Sequence, residues 1–371
     1  MEGSEKKLGF GCMRFPLLNK DDSASIDVRQ VEKMIDLFMK RGFTYFDTAY
    51  PYHKGHSEQV LKEVLVKRYP RDSYTVTDKC PTFAIHKKED FERIFEEQLN
   101  RTGLSYFDYY WLHALDNSRY EKMESLGGFE FMKQLKKEGR VHHIGFSFHD
   151  TADVLEKILI AHPEMEIVQL QINYEDWENA VVQAKANYML CEKYHKKVVV
   201  MEPVKGGRLA KVPAEADKIF KSIHPEMSDA SWAIRFAASL PSVMVVLSGM
   251  SSLEQVEDNT SYMEDFKPLD EEEKEAIRKA QEIIKKNLGI PCTGCHYCTD
   301  GCPKKIDIPT YFSLYNYTDD EDDRKGLYKK AAVGHGLASE CIECGQCERM
   351  CPQHLPIRTL LAEKIVPTFE K

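Results

Sequence analysis

Thr44-Tyr45-Phe46-Asp47-Thr48-Ala49-Tyr50-Pro51-Tyr52 is a short apolar run that ends on a carboxylate and breaks into a proline-containing loop. Runs of the same kind recur at residues 8–13, 74–78, 109–112, 143–146, 167–170, 198–201 and 244–247. Between them lie amphipathic stretches such as Val31, Met34, Ile35, Phe38 and Met39, spaced for one helix face ahead of Gly42. Short runs buried on both faces and alternating with helices specify a parallel sheet. Eight such units over roughly 250 residues fit a TIM (β/α)8 barrel. The competitor is a doubly wound open sheet, which the absence of G-x-G-x-x-G after the first run weakens.

The barrel leaves the C-terminal part of the 371-residue chain over, and about two domains is the usual expectation at this length. We read residues 1–267 as the barrel, 268–288 as a connecting helix with acids in its first turn, and 289–371 as a smaller, mainly helical domain. Hydrophobic residues make up 42% of the chain, ample for a large core. A net charge of −9 argues against nucleic acid as a partner. No apolar run approaches the ~18–20 residues of a membrane span, and Met1-Glu2-Gly3-Ser4-Glu5-Lys6-Lys7 leads into no apolar signal core. The expected location is cytoplasmic.

Three of the eleven cysteines, Cys12, Cys80 and Cys191, are scattered and read as core or pocket residues. The other eight form two runs of identical spacing. One is Cys292-x2-Cys295-x2-Cys298-x3-Cys302-Pro303, the other Cys341-x2-Cys344-x2-Cys347-x3-Cys351-Pro352. Clustered cysteines in a reducing compartment are metal ligands more often than disulfides. Three thiolates within one short loop suit three corners of a cubane, whereas zinc commonly takes two separated pairs. Two zinc knuckles or a metal-free fold are the alternatives. The runs resemble those of bacterial ferredoxins, in which the fourth cysteine ligates the other cluster. That resemblance implies one 4Fe-4S cluster on Cys292, Cys295, Cys298 and Cys351, and a second on Cys341, Cys344, Cys347 and Cys302. Helical stretches at 308–317 and 324–333 make this segment similar to helical two-cluster ferredoxin domains. The acidic run at 319–323 reads as a solvated loop or a docking patch.

Barrels carry chemistry where strands end. Asp47 and Tyr52 follow the second run, Lys79 the third and His113 the fourth. Asp47, Tyr52, Lys79 and His113, in that order and with Tyr five residues after Asp, resemble the tetrad of the aldo-keto reductases. The resemblance covers about residues 8–265 and implies carbonyl reduction or alcohol oxidation on a small molecule. Tyr52 would be the general acid, Lys79 would lower its pKa, Asp47 would hold Lys79, and His113 would orient the carbonyl. Tyr50 ranks below Tyr52.

The same resemblance implies an NAD(P)H site. Ser147 matches the residue at the carboxamide, with Phe148 where the family usually has Asn, and Gln171 matches the glutamine ending strand six. Lys205, Gly206, Gly207 and Arg208 follow strand seven and suit an anion. After strand eight come Ser248, Gly249 and Ser251, the last forming an S-x-x-E capping box with Glu254. NADPH-specific members carry Lys and Arg where Gly249 and Gln255 stand, by alignment on Asn259. NADH therefore competes with NADPH, and the same phosphate site in other barrels holds FMN. Nicotinamide moves two electrons and each cluster one, which also raises flavin as a mediator. The leading reading is an aldo-keto-reductase-type oxidoreductase coupled to two clusters and to a ferredoxin-type redox partner. A flavin-using iron-sulfur enzyme and an electron carrier whose barrel serves docking are the alternatives.

Overall fold

A computed structural model describes residues 6–19, 22–286, 289–316 and 321–371. Eight parallel strands close in sequence order: β1 (Leu8–Gly11), β2 (Tyr45–Asp47), β3 (Thr75–Cys80), β4 (Phe107–Leu115), β5 (Val141–Phe148), β6 (Ile167–Gln171), β7 (Lys197–Met201) and β8 (Val243–Ser248). β8 pairs back onto β1 through Gly9↔Leu247 and its neighbours. The TIM barrel expected from the apolar runs is the observed fold.

The helices form for the reasons their sequence pattern supplies. In Val28–Lys40, Asp27 caps the first turn by accepting from the Gln30 N–H, and Val31, Met34, Ile35 and Phe38 bury one stripe. Burying each such side chain is worth about 1.5–3 kcal/mol. Inside the barrel, Tyr45, Trp111, Ile167, Val199, Val245 and Leu247 pack together. Trp111 needs the space left by Gly145, where a Cβ would stand 2.2 Å from the Ile167 carbonyl oxygen.

The chain divides into two units, one of residues 1–204 and 220–277, the other of 205–219 and 278–371. The turn Lys205–Ala210 after β7 thus groups with the C-terminal segment, and helix Glu271–Lys286 runs across the expected 268–288 connection. Its N-terminus is closed by a reciprocal pair, Asp270 accepting from the Glu273 N–H and Glu273 from the Asp270 N–H.

The second unit has its own small core of Ile290, Ile306, Ile308, Tyr311, Phe312, Tyr328, Leu355, Ile357, Leu361, Ile365 and Phe369. Helices Ile308–Asn316 and Glu321–Ala331 correspond to the two expected there. Asn316 clamps Ile290, accepting from its N–H and donating to its carbonyl, both at 2.6 Å. The acidic run at 319–323 lies outside the residues whose side chains are described. Among the described residues, no helix is long and apolar enough to cross a membrane.

Candidate active site and cysteine cavities

Asp47, Tyr52, Lys79 and His113 are brought together at the C-terminal ends of β2, β3 and β4. The Lys79 ammonium is buried and donates to Asp47 Oδ1 at 2.5 Å, to the Thr48 carbonyl at 2.8 Å and to the Tyr52 hydroxyl oxygen at 3.3 Å. Three donors meet three acceptors, so Lys79 is fully satisfied. Because Lys79 donates to the Tyr52 oxygen, the Tyr52 proton points elsewhere. The Tyr52 and His113 rings stand edge to face with centroids 6.1 Å apart. His113 lies at a register shift of β4 against β5, next to Ala114 at φ 58°, and the bulge sets the direction of its side chain. The Thr82 hydroxyl donates to the His113 carbonyl at 2.7 Å.

The electrostatics correct one expectation. The Tyr52 hydroxyl is pushed well above its ordinary range, first by burial and next by the negative charge of Asp47. Lys79 was expected to lower it, but here desolvation and the carboxylate outweigh the ammonium. Tyr52 therefore keeps its proton at neutral pH. Burial, then the Lys79 charge, drive His113 well below the usual imidazole value, so its ring is neutral. Its Nδ1 is buried without a hydrogen-bond partner. Burial also raises Asp47 against the opposing pull of Lys79.

Tyr50 is turned away. Its hydroxyl reaches Glu97 at 3.3 Å, and Arg101 lies over its ring. Cys80 is buried in the core, on the strand face opposite to Lys79. Sequence reading missed Gln169, whose Nε2 approaches Asp47 Oδ2 at 3.5 Å. The period of two shared with Gln171 is the signal that finds it. It also missed Arg14, which pairs with Glu202 at 3.9 Å and whose side chain occupies the space beside Gly249.

The candidate cofactor residues are tied into the scaffold. Ser147 Oγ accepts from the Ala114 N–H at 2.6 Å, Gln171 donates to Asp176 at 2.9 Å, and Asn259 donates to Ser248 at 2.8 Å. The capping box expected on Ser251 and Glu254 is displaced by one residue. Ser252 caps helix Leu253–Met263 by accepting from the Gln255 N–H, and the Gln255 side chain accepts from the Ser251 N–H. Extended backbone at Ser252, φ −148°, makes it the N-cap. Of the strand-seven candidates, Lys205, Gly206, Gly207 and Arg208 all group with the second unit. A Cβ on Gly206 would stand 2.2 Å from the Thr293 carbonyl, inside the first cysteine run, so the close approach demands glycine.

The eight clustered cysteines line two cavities. One is bordered by Cys292, Cys295, Cys298 and Cys351; the other by Cys302, Cys341, Cys344 and Cys347. The backbone repeats between the runs. Left-handed φ occurs at Gly294 and Glu343, at His296 and Gly345, and at Lys305 and His354, which are equivalent positions of the two runs. Alternating conformations of this sort turn N–H groups inward and favour an anionic guest. The Gly294 N–H donates to Cys292 Sγ at 3.5 Å and the Ile306 N–H to Cys302 Sγ at 3.4 Å. Among the described residues, no three His, Cys, Asp or Glu side chains gather as one metal ion requires. Four cysteines border each cavity, the number of protein ligands a 4Fe-4S cluster takes.

Residues 7–282 match the Aldo/keto reductase family, and residues 291–355 match the 4Fe-4S dicluster domain. The chain is 21% identical to an uncharacterized oxidoreductase, YqkF, of Bacillus subtilis, over 75% of this chain and 94% of that protein. It is 24% identical to L-galactose dehydrogenase of Arabidopsis thaliana, over 74% and 89%. Among solved structures it is similar to aldo-keto reductase AKR11C1 from Bacillus halodurans, holo form, at TM-score 0.59 and 22% identity, covering 74% of this chain and 91% of that one. An aldo/keto reductase from Klebsiella pneumoniae in complex with NADP and acetate gives TM-score 0.57 and 20% identity, covering 75% and 91%.

Proposed function

The chain belongs to the aldo/keto reductase family, and on that premise we propose that it reduces a small-molecule carbonyl, or oxidises the alcohol, with Tyr52 as the proton-transferring group. The observation that carries this reading is the hydrogen-bonded set of Asp47, Lys79 and Tyr52 beside a neutral His113. A substrate carbonyl oxygen would sit between the Tyr52 hydroxyl and the His113 ring. Neutral His113 donates a hydrogen bond and orients the carbonyl without competing as an acid. Tyr52 holds its proton in the resting site and gives it up as negative charge develops on that oxygen. Lys79 then stabilises the phenolate left behind, and Asp47 with the Thr48 carbonyl keeps Lys79 in place.

NAD(P)H is the expected cofactor and supplies a hydride when bound. Ser147, Gln171 and Ser248 at the C-terminal ends of β5, β6 and β8, Gly249 and Ser251 in the loop after β8, and Gln255 and Asn259 on helix Leu253–Met263 would position it. With Gly249 and Gln255 where cations would grip a 2′-phosphate, NADH remains a candidate beside NADPH. FMN is set aside: similar aldo/keto reductase structures from Klebsiella pneumoniae are complexes with NADP and with NADPH.

Cys292, Cys295, Cys298 and Cys351 would hold one 4Fe-4S cluster, and Cys302, Cys341, Cys344 and Cys347 the other. Such clusters supply one-electron transfer, which a ferredoxin-type protein would share. A reducing, cytoplasmic setting would suit cysteines that serve as cluster ligands rather than in disulfides. The test is initial-rate oxidation of NADH and of NADPH by the reconstituted chain against a panel of aldehydes and ketones. Turnover with at least one pair is the expected result; none with any pair would overturn the carbonyl reading.

A further inference from the structure

The two cysteine cavities share a backbone, so their differences stand out. The first is lined, besides its cysteines, by Thr293, Ile308, Pro309, Phe312, Gln353, Leu355 and Ile357, none of them charged. The second adds two basic residues, Lys304 and Arg358, to an otherwise uncharged and mostly apolar lining of Pro303, Ile306, Ile308, Ile342, Gly345, Gln346 and Leu361. Exposure differs as well. In the first set Cys298 is buried and the others half-buried, whereas Cys344 of the second set is the exposed cysteine of the eight. Ile342, which follows Cys341 in the same run, is 56% exposed.

We infer that the two sites are unequal, with the second run forming the higher-potential, outward-facing site that exchanges single electrons with a carrier protein. This rests on the reading that both cavities hold clusters. Reduction adds one negative charge to a cluster already ligated by thiolates. A nearby cation and access to water stabilise that charge and raise the potential, while a dry, uncharged lining lowers it. The acidic Glu348 follows Cys347 and opposes the cations, so Arg358 both borders the cavity and offsets that carboxylate, and loss of Arg358 would leave the carboxylate uncompensated beside the site. Arg358 also donates to the Glu343 carbonyl, and Arg349 to the Cys344 carbonyl, each at 3.3 Å. In each exchange the external carrier loses one electron and the second site gains it, or the reverse.

The experiment is an EPR-monitored redox titration of the full, iron-reconstituted chain. Two separate one-electron steps are expected. Arg358→Gln should lower the higher-potential step alone, changing its oxidised-to-reduced ratio at fixed potential by about threefold to tenfold. Lys304→Gln should move the same step by less, and Arg358→Lys should stay near wild type. A dysprosium chelate in solution should speed relaxation of the signal that Arg358→Gln moves and leave the other unaffected. Should Arg358→Gln fail to hold its iron, Lys304→Gln and the chelate carry the test. Coincident wild-type steps, a shift of the lower step, no shift in either variant, or equal chelate effects would overturn the inference. A chain that takes up no iron would overturn the cluster reading itself, and this inference with it.

Discussion

The barrel and the cysteine-bearing unit are stabilised by different means. The barrel buries a large core to which every strand and most helices contribute apolar side chains, and a second apolar cluster inside the strands. Among the described residues, the second unit has a core of fourteen buried residues, two of them cysteines that also border the cavities. Its cysteine runs lie mostly outside regular elements, held in left-handed turns that burial alone does not favour. The contrast teaches that one part of the chain is folded by apolar area, whereas the other would be completed by the clusters proposed for its thiolates.

Removing the iron should break this comparison most sharply. Stripping it with a chelator under reducing conditions is expected to leave the barrel's thermal transition in place. The second unit should lose its cooperative transition and become a target for limited proteolysis, with mass spectrometry placing the cuts within residues 289–371. Gly206→Ala sharpens the comparison on a smaller scale. Its φ of 65° and the Thr293 carbonyl both oppose a side chain, and overpacking of this kind costs about 1–3 kcal/mol. Iron retained per chain, measured by a colorimetric assay, should fall while the barrel transition holds.

A still smaller effect concerns the barrel alone. The folded-state pKa of His113 is depressed, while its unfolded value is near ~6.5. The unfolded chain takes up a proton as pH falls below that value and the native chain does not. Stability is therefore present above pH ~6.5 and is lost as pH falls toward the folded value, by at most about 1.4 kcal/mol per pH unit. His113→Gln should flatten this slope in urea titrations between pH 7 and pH 5.

The same contrast explains what could be read from the chain. Strand positions were legible because a parallel barrel buries both strand faces, which leaves unbroken runs such as Val198-Val199-Val200. The two cysteine runs were legible from their identical spacing, whereas the exchange of Cys302 and Cys351 between the cavities was implied by the resemblance to bacterial ferredoxins. Other features depend on distant neighbours. The β4 bulge beside His113 is set by pairing with β5, and Gly206 belongs against Thr293, far along the chain. The sign of the Tyr52 shift depends on burial, which no local pattern reports. The cap at Ser252 rather than Ser251 was decided by backbone conformation between two adjacent serines.

Tyr52→Phe tests the central claim most directly, since it removes one hydroxyl and leaves Lys79 paired with Asp47 and Thr48. Loss of a general acid predicts a fall in kcat for carbonyl reduction of about 100-fold or more, with the iron content and visible spectrum of the second unit unchanged. Turnover that survives the substitution at wild-type rate would contradict the account.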